Sequence, residues 1–191
     1  MFKKVSWLFI VVLVTAGCAG NPEYLRPDAD LQQVAAIALL PIRDDPVCQG
    51  LGSRLTMNIH DWLEEADIQV FQPDNELIPL ETINLAAVGP TDVGTAAEIG
   101  LSLGVPTVLT GFIHNVSSSI KHQSGEFSRS GSMSYTVSNA SVTLNLVDTC
   151  SGEIVWSSSK RSSATGQDAE LSAANKAADK LVKRLLRHTG G

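Results

Sequence analysis

Residues 34–42 read VAAIALLPI, a nearly continuous apolar run of strand length. A strand with one wet face alternates apolar and polar residues, so an unbroken run suits a strand covered on both faces. That requirement points to a sheet with helices packed on it. Pro41 must then sit at the strand's end or give up a ladder hydrogen bond.

The residues that follow supply the helices. Leu51, Leu55, Ile59, Trp62 and Leu63 fall at helical spacing and predict a helix with one buried face. DIQVF at 67–71 reads as a second strand. Residues 72–94 hold three prolines and mixed apolar residues and have no legible pattern. A short helix is expected over about 95–103, with Thr95 and Glu98 as a capping box and Gly104 as its stop. PTVLTGFIHNV at 106–116 is apolar at both parities, as in a central strand. A serine-rich stretch, 117–141, has turn glycines at Gly125 and Gly131. Within it Met133, Tyr135 and Val137 alternate at odd positions, whereas Val142, Leu144 and Leu146 alternate at even ones. If both runs face one core, a bulge is required near 138–141. Residues 148–153 form a turn, so 141–160 is a hairpin. Leu171, Ala174, Ala178, Leu181 and Leu185 then define a final helix, with Lys183, Arg184, Arg187 and His188 complementing the dipole at its last turn. The expected fold is α/β: a mixed sheet of about five strands with helices packed on it, in the order β-α-β-α-β-β-β-α, ending in a long hairpin and a C-terminal helix.

The start of the chain bears on location. Lys3 and Lys4 precede an apolar run from Val5 to Val14, interrupted by Ser6, and then the small residues Thr15, Ala16 and Gly17. This is the layout of a secretory signal, and its apolar core is too short to span about 30 Å of hydrocarbon. With Cys18 directly after Ala16 and Gly17, the segment resembles the lipobox of bacterial lipoproteins, although Thr15 stands where leucine is usual. The resemblance implies a signal peptide over 1–17 and lipid on Cys18. An ordinary cleaved signal followed by a chance cysteine is the competing reading. Two or three acyl chains, at about 0.8 kcal/mol per buried CH₂, hold a protein on a membrane permanently. Ala19 in place of aspartate implies, by the same resemblance, sorting to the outer membrane; the expected location is lipid-anchored there, on the periplasmic side. Residues 18–33, polar and containing Pro22 and Pro27, read as a flexible tether, and 34–191 as a single domain.

Residues 1–17 contain two of the 14 Lys+Arg residues and none of the 20 Asp+Glu, so the remainder carries 12 cations against 20 anions, a formal charge of −8. Nucleic acid is therefore not an expected partner. Beyond Cys18, the cysteines are Cys48 and Cys150, in a compartment that permits disulfides. If the strand at 106–116 runs parallel to the first, the two lie at opposite ends of the sheet, roughly 20 Å apart. A bridge needs Cα atoms within about 7 Å, so no intrachain disulfide is expected.

Catalytic constellations are hard to assemble from this sequence. No G-x-S-x-G elbow occurs. Two S-x-x-K matches, Ser118 to Lys121 and Ser157 to Lys160, fall on expected strands, where positions three apart point to opposite faces. His60, His114, His122 and His188 show no ligand spacing with one another or with the cysteines, so neither a metal site nor a cofactor is expected. Asp44 and Asp45 form an acidic loop after the first strand, where α/β sheets place functional groups; a solvated turn is the alternative.

Four segments together resemble a superfamily of envelope lipoproteins and periplasmic domains: AIALLPI at 36–42, GLGSRLTMNIHDWL at 50–63, GVPTVLTGFI at 104–113 and VTLNLVDTCSGEIVW at 142–156. Its members include the curli-secretion lipoprotein, certain flagellar outer-membrane lipoproteins, lipoprotein activators of penicillin-binding proteins and the amino-terminal domain of TolB. The last segment is similar to a D-x-x-T/S-G-E turn before a strand ending in tryptophan, matched by Asp148, Ser151, Gly152, Glu153 and Trp156. The resemblance implies a layered α/β domain used for protein–protein contact.

The expected function is thus a membrane-anchored, non-enzymatic accessory or scaffold lipoprotein of an envelope machine, in secretion, flagellar or cell-wall assembly. Its partners are the membrane, through lipid on Cys18, and an envelope protein or further copies of itself. The serine-rich stretch is the expected partner-binding ribbon, with Phe127, Met133 and Tyr135 setting register through β-augmentation. The alternative is a periplasmic module binding a glycan or lipid with the loops after the first and third strands.

Overall fold

The computed structural model describes residues 23–44, 46, 49–73, 92–123 and 133–190. Cys18, Cys48 and Phe127 lie outside them, as does most of the 72–94 stretch.

Six strands form one mixed sheet: β1 (Glu23–Leu25), β2 (Ala36–Leu39), β3 (Gln69–Phe71), β4 (Thr107–Gln123), β5 (Met133–Asp148) and β6 (Ile154–Thr165), with spatial order β1-β6-β5-β4-β2-β3. β2 is parallel to both β3 and β4, and β4, β5, β6 and β1 are successively antiparallel. The helices are α1 (Leu51–Glu64), α2 (Val93–Leu103) and α3 (Ala169–Leu186). The mixed sheet with packed helices, the closing hairpin and the terminal helix are those expected from the sequence.

The apolar run at β2 is covered on both faces. Ile37 and Leu39 enter a large core with Leu55, Ile59 and Leu63 of α1 and Ala174, Ala178, Leu181 and Leu185 of α3. Ala38 and Leu40 enter a smaller core with Ala96, Ala97 and Ile99 of α2. Pro41 lies exposed just past the strand's end, where its missing donor is harmless. The chain nevertheless continues along β4: the Leu40 N–H donates to the Leu109 carbonyl, and the Ile113 N–H to the Arg43 carbonyl at 2.8 Å.

Three expectations are corrected. Residues 23–33 read as tether, yet β1 pairs with β6, Glu23 opposite Ser158 and Leu25 opposite Trp156, and Leu31 is buried. Three residues are too few to show a period, and main-chain pairing with a strand far along the chain leaves no local trace. The cap of α2 is Asp92, whose carboxylate accepts the Thr95 N–H at 3.2 Å, and the helix starts at Val93 instead of near Thr95; Gly104, in the left-handed region at φ 68°, does end it.

The third correction concerns the bulge. β5 is paired without interruption from Met133 to Leu146, so its even residues, Ala140, Val142, Leu144 and Leu146, face α1 and α3. Its odd residues point to the other face. The register shift lies instead on β4, between His114 and Ser117, with Asn115 at φ 53°. Asparagine tolerates the left-handed region better than most residues. The two apolar runs of β5 therefore serve opposite faces, and the premise that they share a core fails.

β4 does run parallel to β2, and Thr149 packs at the end of the sheet where β2 begins, its hydroxyl donating to the carbonyls of Val105 and Pro106, both at 3.0 Å. Cys150, next to it, is exposed with a free thiol.

Candidate interaction surface

β4 and β5 are longer than the rest of the sheet. β2 and its extension accompany β4 only as far as Ile113. Beyond the bulge, Ser117–Gln123 pairs with Met133–Asn139 and leaves the far edge of β4 without a partner strand among the described residues. On the other side, β6 accompanies β5 up to Val137 opposite Thr165, but β1 covers β6 only from Trp156 to Ser158. Among the described residues, the outer half of the sheet is thus a ribbon, three-stranded as far as Val137 and two-stranded beyond it, with two open edges, each a row of main-chain donors and acceptors able to pair with another chain.

The ribbon's faces differ. Ser118, Ile120 and His122 stand opposite Ser138, Thr136 and Ser134 on the side of α1 and α3. Ser119 and Lys121 stand opposite Val137 and Tyr135 on the other side. Ile120 is 67% exposed and Tyr135 39%. Of the expected contact residues, Tyr135 is thus on this ribbon. Met133 opens β5, but its side chain lies outside the described set, as does Phe127. Ile120 was missed by sequence reasoning because it sits alone among serines; the signal that marks it is its even parity once the bulge is counted.

Where the ribbon leaves the body, a cleft of about 280 Å³ opens between α1, the sheet and the start of α3, lined by Leu51, Arg54, Ser118, Thr136, Ser138 and Glu170. The Ser118 Oγ lies 2.5 Å from a Glu170 carboxylate oxygen and 2.7 Å from the Ser138 Oγ. Such an arrangement holds the ribbon to α3. Lys121 projects from the opposite face to Ser118, and Lys160 from the opposite face to Ser157, so neither serine–lysine pair meets.

The acidic loop has a structural task. The Asp44 carboxylate accepts the Gly50 N–H at 2.6 Å and also the Gly52 N–H, satisfying donors at the start of α1 that a glycine N-cap cannot reach with a side chain. Asp45 lies outside the described residues. Among those residues no group of three or more His, Cys, Asp or Glu is placed to hold a metal ion, and no helix is long and apolar enough to cross a membrane.

A second polar cluster ties β1 to the body. The Glu23 carboxylate accepts the Trp156 indole N–H at 3.0 Å, lies 3.1 Å from His188 Nε2 and 3.5 Å from Arg184 Nε. Arg184 also donates to the Ser158 hydroxyl at 2.7 Å. Burial alone would raise the Glu23 pKa; the hydrogen bonds from Trp156 and His188, with the positive charge of Arg184, outweigh it and hold the carboxyl below its ordinary value.

No family model and no curated protein sequence matches the chain. Solved structures do. The PelC dodecamer from Paraburkholderia phytofirmans superposes with a TM-score of 0.55 at 16% identity, over 87% of this chain and 96% of the PelC chain. The lipoprotein GNA1162 from Neisseria meningitidis superposes with a TM-score of 0.50 at 14% identity, over 80% of this chain and 99% of that one. These likenesses establish a shared fold, found in a bacterial lipoprotein and in a dodecameric assembly.

Proposed function

We propose that this chain is a lipoprotein of the bacterial envelope, acylated on Cys18, that acts by binding and not by catalysis, holding a protein partner or further copies of itself through the outer ribbon of β4 and β5. The observation that carries the reading is the pair of open strand edges flanked by the exposed Ile120 and Tyr135. Open edges of this length are an aggregation hazard unless a partner covers them, and β-augmentation is the mode of binding they suit. Two proteins of the same fold supply support from outside: PelC is a dodecamer and GNA1162 a lipoprotein. Ala19 after the cysteine favours the outer membrane, and the envelope machine served is one of secretion, flagellar or cell-wall assembly.

The test is site-specific photo-crosslinking in intact cells, with the reactive side chain at position 120 or, as a reference, at the also exposed Leu101 of α2. A discrete adduct from position 120 and none from position 101 is the expected result. Adducts from 101 alone would move the binding surface to α2.

A further inference from the structure

Every exposed residue from position 176 to the C-cap of α3 is a cation: Lys176, Lys180 and Lys183 in the helix and Arg187 at the cap. Their spacing of four, three and four places them on one stripe, opposite the apolar face that packs on the sheet. Lys183 pairs with Asp179 at 2.8 Å, whereas Lys176, Lys180 and Arg187 make no ion pair among the described residues. In a chain whose part after residue 17 carries a formal charge of −8, a one-sided positive stripe is a feature of placement and not of composition.

The attachment point gives that placement a meaning. β1 is antiparallel to β6, and Glu23, its first residue, lies against Ser158, Arg184 and His188. The chain before Glu23 therefore leaves the domain beside the C-terminal end of α3. Glu23 is five positions after Cys18, a reach of at most about 18 Å. From Lys176 to Arg187 the stripe is about 17 Å long. A lipid on Cys18 cannot let α3 drift far from the bilayer. The exposed acidic residues Asp61, Glu64 and Glu65, on and just after α1, belong to a helix that packs beside α3, and Asp67 shares a cleft with Thr189 and Gly190.

We propose that the basic stripe of α3 rests on an anionic phospholipid surface, as a second electrostatic attachment that fixes the domain's orientation. The inference rests on acylation of Cys18. Lysines and arginines near an anionic leaflet are held by its surface potential, which decays within a Debye length, so a tether of this length suffices to bring them into range.

The test uses the protein purified from membranes with its native anchor, reconstituted into vesicles of phosphatidylcholine alone or of equal parts phosphatidylcholine and phosphatidylglycerol. Flotation with the uncharged vesicles reports the anchor by itself; a protein that floats with neither vesicle is not acylated, and both readings then fall. For protein that floats, amine acylation is followed by peptide mass spectrometry at Lys176, Lys180 and Lys183, with the exposed Lys121 of the ribbon as internal reference. Relative to Lys121, the α3 lysines should react about fivefold more slowly on the anionic vesicles. The difference should vanish at about 1 M salt, where the Debye length is about 3 Å. In the double variant Lys176→Glu/Lys180→Glu the protection of Lys183 should be lost while flotation persists. Equal rates on the two vesicles would overturn the inference and leave the lipid anchor intact. Protection that is the same on both vesicles and in detergent would overturn it too, by assigning the stripe to a protein contact.

Discussion

The indole N–H of Trp156 donates to the Glu23 carboxylate at 3.0 Å, joining a fully buried side chain of β6 to the first residue of the edge strand β1. This contact ties β1 to the body of the domain. Without Glu23, a buried donor is stranded, and Arg184 and His188 lose the anion between them. Glu23→Ala should therefore destabilise the domain by about 1–2 kcal/mol, most of it the cost of the unsatisfied indole, as measured by urea denaturation. A change of a few tenths would mean that β1 contributes nothing to the fold.

The same carboxylate gives the domain an acid limb. Its pKa is held below the ordinary value when folded, so its stabilisation is complete above the unfolded-state value and is lost as pH falls through the folded one. Asp148 behaves alike: burial acts to raise it, and the Ser151 hydrogen bonds and the Arg26 charge more than reverse that. Denaturation midpoints should thus stay level from neutral pH down to the carboxylate range and then decline. Glu23→Gln should show a shallower decline than the parent protein. Parallel declines would show that Glu23 is not one of the groups responsible.

Much of this architecture is legible in sequence because its signals are local. Leu171, Ala174, Ala178, Leu181 and Leu185 announce α3, and the apolar run at 34–42 announces a strand covered twice. What escapes is what depends on distant partners. β1 has three residues and no period, and its position is set by Trp156, Arg184 and His188, all more than 130 residues away. Arg184 and His188 read as complements to a helix dipole, although in the fold they also hold Glu23. The phase change on β5 is visible in sequence, but the bulge that resolves the sheet sits on the opposite strand at Asn115, where nothing in the β5 pattern points. The ribbon's strand character is legible; Ile120 as the most exposed apolar residue among its described side chains is not.

Gly52 is placed where α1 crosses the end of β2. A Cβ there would collide with the Ile42 carbonyl oxygen and meet the Asp44 carboxylate. Backbone cannot yield as a side-chain tip can, so Gly52→Ala should cost about 1–3 kcal/mol by overpacking, against the small gain that alanine ordinarily brings inside a helix. Gly94 in α2, where an added Cβ would meet none of the described residues within 4 Å, is the matched control, and Gly94→Ala should be neutral or stabilising in the same thermal melt.

Asp44 separates a structural from a functional reading of the loop after β2. Its hydrogen bonds to the Gly50 and Gly52 N–H groups make it a cap supplied from outside the helix. Asp44→Ala should cost about 1 kcal/mol of stability, with Asp44→Asn recovering part of it, and crosslinking from position 120 should be unchanged in both. A loss of crosslinks at unchanged stability would return the loop to the list of binding surfaces.

The ribbon makes the sharpest demand on the proposed function, because there stability and binding should separate. Ile120 is 67% exposed and packs in neither of the two cores. Ile120→Asp should change the unfolding free energy by no more than about 0.5 kcal/mol, as is usual for surface substitutions. Beside an incoming strand the same carboxylate would be desolvated without a partner, which costs several kcal/mol. Association should therefore fall by an order of magnitude or more, read as a shift to smaller species in sedimentation velocity or as loss of the in-cell adduct. Tyr135→Ser, on the other face of the same strand pair, should weaken association less, since a strand added at the edge buries only one side of Tyr135. A variant pair in which both proteins unfold normally and assemble as the parent does would remove the ribbon from the interface.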